Sequence, residues 1–309
     1  MDENDEQLSE LHLPFFISYI VVGVVFLLFH IRFIVLIQRT RSIAKLPAYR
    51  IIQHASIACS INLVTQIIAV SCTLNRGHMD YTLNSIIGAF FQGSWAVEYP
   101  MILILAVNRL MSVAWPMRAR SCRFSKKTWN EFMHSTRTLL HSFITALIGL
   151  CWAFGAVNTI TCLSGQIQTI WLVYTPGFVF TKGTLVAMIV HYIDLYFAEF
   201  VVISSLICYV FIFILLATKR DPMSSIRIEL PLTLHFGTIF VMTAVILYLW
   251  HNPASDSDLY SHIFNLINIL RYCVSPVLAI FTNEIIRKRF FTARYAESTI
   301  TPITQMTKF

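Results

Sequence analysis

Seven apolar stretches divide this chain of 309 residues, and the basic residues between them are sorted by side. A helix needs about 20 mostly apolar residues to cross a bilayer. The stretches at 14–37, 49–72, 85–107, 139–161, 185–217, 230–250 and 259–282 all qualify. Assigning the loops alternately to two sides puts 20 of the 23 Lys and Arg on one side. They are Arg32, Arg39, Arg41, Lys45 and Arg50, then Arg109 through Arg137, then Lys219, Arg220 and Arg227, then Arg287, Lys288, Arg289, Arg294 and Lys308. Arg76 and Lys182 fall on the other side, and Arg271 alone lies deep within a span. Basic loops stay on the cytoplasmic face. The expected fold is therefore an all-α membrane protein. It is a seven-transmembrane helix bundle with its N-terminus outside, its C-terminus inside, and a short amphipathic helix after the seventh span. Residues 1–13 form an extracellular N-terminus, 14–282 the bundle, and 283–309 the amphipathic helix and a cytoplasmic tail. The expected location is the plasma membrane.

Composition agrees with that division. The chain is 56% hydrophobic and only 13% charged, with a mean hydropathy of +0.66. A soluble domain of this size cannot hide so much apolar surface. The net charge of +7 sits mostly beside the spans, which favours anionic membrane lipids and cytoplasmic partners over nucleic acid. The first ten residues carry five acids and no base, unlike the start of a cleaved signal peptide. No His-Glu-x-x-His, Walker, Gly-x-Ser-x-Gly or Cys-x-x-Cys motif occurs, and the seven cysteines are scattered. No enzyme, metal or cofactor is expected from such a pattern.

Local signals place the element ends. Pro14, Pro47 and Pro231 suit helix starts, where a missing N–H costs nothing. Asp221-Pro222 and Asn252-Pro253 mark turns. Trp250, Tyr248 and Tyr260 at one level, with Trp115 and Trp129 at the other, fit interfacial belts. After the last span, Ile285, Ile286, Phe290 and Tyr295 share a helix face while Arg287, Lys288, Arg289 and Arg294 supply cations. That predicts a helix lying on the membrane surface.

The third span ends in LAVNRLMSVAWPMR. This resembles the Asp-Arg-Tyr region of rhodopsin-like G-protein-coupled receptors, here as Asn108-Arg109-Leu110 followed by Pro116. The seventh span ends in SPVLAIF, which resembles the family's Asn-Pro-x-x-Tyr with Pro276 matching. The first loop, RTRSIAKLPAYRIIQHASIA, is similar to that of nematode serpentine chemoreceptors of classes V, T and X, class V being nearest. The resemblance covers nearly the whole chain in layout and rests on few residues. It implies a chemosensory receptor that signals to a heterotrimeric G protein through Arg109, Asn108, Arg118 and Arg120. The departures are specific. Asn84 stands where the family has a cysteine at the outer end of the third span, Asn62 is the nearest polar residue to an expected Asp, His30 stands in for an Asn, and the sixth span lacks the Cys-Trp-x-Pro element. A ligand-gated channel subunit or transporter, and a membrane protein that does not signal, stay open as alternatives.

Within the spans, charge is costly, about 2.5–3.5 kcal/mol per residue at a helix centre on insertion scales. Glu98 and Arg271 fall at similar depths and are expected to pair. Asn265, Asn268, Arg271 and Ser275 make one polar stripe on the seventh span, and Asn62, Thr65 and Gln66 make another on the second. The two stripes are expected to meet. A small-molecule pocket in the outer half would draw on Gln92, Trp95, His191, Tyr192, Glu199, Trp250, His262 and Asn265. Asp194 or Glu199 would suit a cationic ligand, and both are rival partners for Arg271. Cys72 and Cys162, at outer helix ends, are candidates for a disulfide in place of the one lost at Asn84.

Overall fold

The computed structural model describes residues 3–76, 79–121, 126–173, 176–181, 183–218, 222–251 and 257–291, with side chains described except at 3–11, 41–42, 76, 115–121, 126–138, 181, 222–233, 236 and 251. The elements in order are α1 (Glu3–Arg39), α2 (Arg41–Ala44), α3 (Pro47–Arg76), α4 (Tyr81–Ser121), α5 (Lys126–Leu163), β1 (Gln168–Leu172), β2 (Gly177–Thr181), α6 (Leu185–Ala217), α7 (Pro222–His251), α8 (Asp258–Thr282) and α9 (Glu284–Phe291). Six of the helices, α1, α3, α4, α5, α6 and α8, are long and apolar enough to cross a membrane. The seventh, α7, carries a shorter apolar run over Gly237–Trp250. The chain is a seven-helix bundle and an integral membrane protein.

α4 is the axis of the bundle. α3, α5, α6, α7 and β1 all pack on it, while α1 and α8 close the far side against each other. Glycine allows two of these approaches. A Cβ on Gly88 would lie 1.6 Å from the Thr169 carbonyl oxygen, so β1 can sit on α4 only because that side chain is missing. A Cβ on Gly93 would lie 1.8 Å from Thr159 Oγ1, and one on Gly155 would lie 2.3 Å from Val97 Cγ2. The α4–α5 crossing is thus built on small residues, as in many membrane helix pairs.

Several ends differ from the expectation. α1 starts at Glu3, and Pro14 lies inside it. An internal Pro costs about 3 kcal/mol. The turn before it is held by His12, whose ring packs 4.7 Å from that of His262 on α8, and the turn after it by the buried Phe16 and Tyr19. Pro231 likewise lies inside α7, because Pro222 already takes the first helical position. Pro47 does open α3. Two short strands, absent from the sequence reading, connect α5 to α6. They pair antiparallel, with Trp171 opposite Phe178.

α9 follows α8 directly. Asn283 Oδ1 accepts from the backbone N–H groups of Ile285 and Ile286 at 3.0 and 3.2 Å, and its Nδ2 donates to Tyr49 Oη at 2.6 Å. Ile286 and Phe290 are buried, while Ile285 is exposed. These three therefore do not share one buried face, since Ile285 and Ile286 are about 100° apart on a helix; Tyr295 lies outside the described residues. Arg32 Nε donates to the Phe290 carbonyl at 2.7 Å, and Arg289 Nη1 to Thr40 Oγ1 at 3.1 Å. The Phe290 carbonyl in the last turn of α9 thus finds a cation, as helix C-termini favour.

Candidate functional site

The interior of the bundle has three levels, one at the hairpin end, one at mid-bundle and one at the α9 end. At the middle, Arg271 Nη1 lies 2.6 Å from Glu98 Oε1 and Nη2 lies 3.0 Å from Oε2. This is the two-pronged geometry that suits guanidinium and carboxylate best. Arg271 is 5% exposed and Glu98 7%, so the ions are taken out of solvent together. The guanidinium also lies 4.7 Å from the ring centroids of both Trp95 and Tyr272. A cation between two aromatic faces gains from both ring quadrupoles. Arg271 Nε reaches Asn268 Oδ1 at 3.4 Å. Below the pair lies a cavity of about 30 Å³, lined in part by Ser56, Cys59, Met101 and Ser275. Its size suits water rather than a ligand.

The polar stripes are buried, but they do not simply face each other. Ser94 Oγ on α4 donates to Asn62 Oδ1 at 2.6 Å, and Thr65 Oγ1 donates back to the Asn62 carbonyl within α3. The α3 stripe therefore meets α4, and the α8 stripe meets Glu98 through Arg271. His30 Nε2 donates to the Tyr272 carbonyl at 2.9 Å, tying α1 to the same level.

At the hairpin end, aromatic residues fill the space over Arg271. Trp95 stands 4.8 Å from Tyr99 and 6.4 Å from Trp250, centroid to centroid. Phe91 stacks on Phe178 at 4.2 Å, and Trp171 meets Phe178 edge-on at 5.3 Å. The hairpin thus pushes a cross-strand pair of rings into the bundle. Of the residues expected to line a pocket, Gln92, Trp95 and Trp250 lie on α4 and α7 at this level, Gln92 and Trp95 being buried. His191, on α6, faces Phe180 of β2 at 5.9 Å. The structure places the other four away from this cluster. Tyr192 and Glu199 are exposed. They lie roughly a third of a turn from Ala198, the centre of the buried face of α6. His262 and Asn265 are buried against α1 instead. Tyr19 Oη lies 2.8 Å from His262 Nδ1, His262 Nε2 meets His12 Nδ1, and Asn265 bonds to Tyr19. They tie α1 to α8 and do not open towards Trp95.

At the α9 end, Arg109 is half-buried on α4 and within electrostatic range of Tyr49 on α3, Tyr209 on α6 and His235 on α7. It stands where four helices converge. Asn108 is buried, and its carbonyl accepts from Ser112 Oγ at 2.8 Å. Arg118 and Arg120 lie in the last turns of α4, where side chains fall outside the described residues.

No protein-family model matches the sequence, and no curated protein matches it. The chain does superpose on the crystal structure of squid rhodopsin with a TM-score of 0.70, over 91% of this chain and 80% of that one, at 13% identity. This is the rhodopsin fold. Within the rhodopsin fold of this chain, α4 is the third span and α8 the seventh, so the buried ion pair links those two. Cys72 and Cys162 are both free. Cys72 packs against the cluster that contains Trp95 and Tyr272, whereas Cys162 is buried in a separate one with Ala89, Ile167 and Ala187. The expected disulfide is therefore replaced, and by Asn84 itself. Asn84 Nδ2 donates to the Trp171 carbonyl at 3.1 Å, and the Trp171 backbone N–H donates to Asn84 Oδ1 at 2.7 Å. A side-chain amide presents the same donor and acceptor as a backbone peptide, so Asn84 clips the hairpin to α4 without a covalent bond. Sequence reasoning missed Trp171, Phe178 and Tyr99. The first two sit in short runs of alternating large apolar residues around Pro176-Gly177, a hairpin signal in its own right.

Proposed function

We propose that this chain is a G-protein-coupled receptor for a small molecule, of chemosensory type, and that it is not an enzyme. The observation that carries this is the continuous path through the bundle. An aromatic cluster at the hairpin end rests on Arg271, Arg271 is held by Glu98 on α4, and α4 runs on to Arg109 among α3, α6 and α7. A ligand can act only through a difference in affinity between two arrangements of the helices. The aromatic end is the ligand side and the Arg109 end, with Asn108, Arg118 and Arg120, the G-protein side. The sorting of basic residues supports an N-terminus outside and a C-terminus inside at the plasma membrane, with 1–13 outside, 14–282 as the bundle and 283–309 along and beyond the inner face. The buried ion pair is the lock whose opening accompanies activation.

The test is cell expression with second-messenger readout against odorant mixtures, with Arg109→Ala as the control. The native chain should respond. Arg109→Ala should reach the surface at normal levels and lose the response. An Arg109→Ala receptor that signals as well as the native one would refute the assignment of the coupling face.

A further inference from the structure

Two acids of α6, Asp194 and Glu199, are equivalent in sequence terms, and the structure separates them. Glu199 is exposed on the outer surface of the bundle. Asp194 is partly buried and falls within the stripe that also holds Ala187, Ala198, Val201, Ser205 and Ile212, all buried. At 100° per residue Asp194 and Ile212 share one line along the helix. Asp194 therefore faces the interior, one turn from Ala198, which packs into the cluster containing Trp95, Tyr99, Ile246 and Leu247.

What Asp194 faces is informative. It is within electrostatic range of Tyr99. Tyr99 is 2% exposed, and its buried hydroxyl has no hydrogen-bond partner among the described residues. It shares that state with the hydroxyls of Tyr209, Tyr260 and Tyr272, but Tyr99 is the one within range of a partly buried carboxylate on α6. Beside it stands the ring of Trp95, and Trp250 lies 6.4 Å beyond Trp95, centroid to centroid. No ion pair involves Asp194 among the described residues. The obvious intramolecular cation, Arg271, is committed through both nitrogens to Glu98. A carboxylate at this depth is expensive unless a cation or water meets it.

We propose that Asp194 is the anionic anchor of the ligand site, and that the ligand is a protonated amine with an aromatic or compact apolar body. The ammonium group sits between the Asp194 carboxylate and the Tyr99 hydroxyl. The body lies against Trp95 and Trp250, where a cation also gains from the ring faces. The assignment rests on the receptor reading above and gives its ligand a chemical class.

The experiment measures binding to the purified full-length protein in detergent without any G protein. The probes are 2-phenylethylammonium, cyclohexylammonium and benzyltrimethylammonium, with 2-phenylethanol as the neutral comparison. At least one ammonium ion should bind saturably and raise the thermal midpoint, and Asp194→Asn should weaken it about tenfold or more. Binding of 2-phenylethanol should not change. Tyr99→Phe should weaken the primary ammonium ions several-fold and leave benzyltrimethylammonium, which has no N–H, unaffected. If Asp194→Asn fails to fold, Asp194→Glu takes its place and should keep the preference for ammonium over alcohol. Equal binding of every probe by native protein and Asp194→Asn overturns the proposal, as does an alcohol that binds as tightly as the amine. Amine binding through Asp194 without any cellular response would instead overturn the receptor reading and leave the anchor standing.

Discussion

A buried ion pair costs most when one member is removed. The Glu98–Arg271 pair has two short contacts, aromatic faces on the guanidinium and almost no solvent. Glu98→Gln and Arg271→Gln should each destabilise the protein by about 3–5 kcal/mol, because the survivor is stranded. Thermal unfolding of the purified variants reads this directly. The double change should cost clearly less than the sum of the two, and simple additivity would mean that the residues do not touch in the membrane. This pair was legible in the sequence because depth can be counted in residues from a helix end, and because a lone charge there is costly. The pocket residues were less legible. Tyr192 and Glu199 turn outward, and His262 and Asn265 turn towards α1. One residue turns a helix by about 100°, and only the packing of α6 and α8 against their neighbours fixes which way each side chain points. At Asn84 the sequence reading registered a lost cysteine; the pairing with a backbone peptide became visible only with the hairpin in place. Asn84→Ala should cost about 1–3 kcal/mol through the unpaired Trp171 backbone groups. Asn84→Asp, which keeps the acceptor and loses the donor, should cost less. Hydrogen exchange at the Trp171 amide measures both, and unchanged protection in Asn84→Ala would dismiss the clip.

Among the elements, the hairpin is the one that sequence reasoning passed over. Its strands are five residues each. The hydropathy pattern of the flanking spans dominates any window that contains it. Its seat is specific nonetheless. Gly88→Ala would drive a methyl group into the Thr169 carbonyl, and no rotamer change relieves a clash with backbone. The hairpin should lift, exposing Trp171 and Phe178, and intrinsic tryptophan fluorescence should shift towards that of hydrated indole. Gly93→Leu should act at a different place, prising α4 from α5 and lowering the yield of folded protein, since the crossing has no room for a side chain. Unchanged fluorescence in the first variant, or native yield in the second, would contradict these packings. The helix ends that moved have a common cause. A proline marks a favoured start, but α1 and α7 each run past one where partners hold the preceding turn, or where a better-placed proline lies upstream.

For the whole molecule, the succession of seven apolar helices was legible from hydropathy, although α7 carries only a shorter apolar run than the other six. Orientation rests on the charge sorting alone. A tag placed at residue 1 should be stained on intact cells, and staining only after permeabilisation would reverse the topology. The three levels of the interior differ in how they are closed. The middle is locked by ions, the α9 end by helix packing and Asn283. The hairpin end is held to α4 by two neutral hydrogen bonds from Asn84, by Gln168 Nε2 donating to Tyr81 Oη, and by two inserted rings. Such a closure breaks and re-forms with no chemical change. Its opening is a thermal fluctuation of a loop, on the timescale of nanoseconds to microseconds or somewhat longer, whereas uncatalysed disulfide rearrangement takes minutes to hours. The hairpin end of this bundle is therefore fastened like a spring shutter rather than a riveted lid, by contacts that temperature loosens and the oxidising power of the surroundings does not touch.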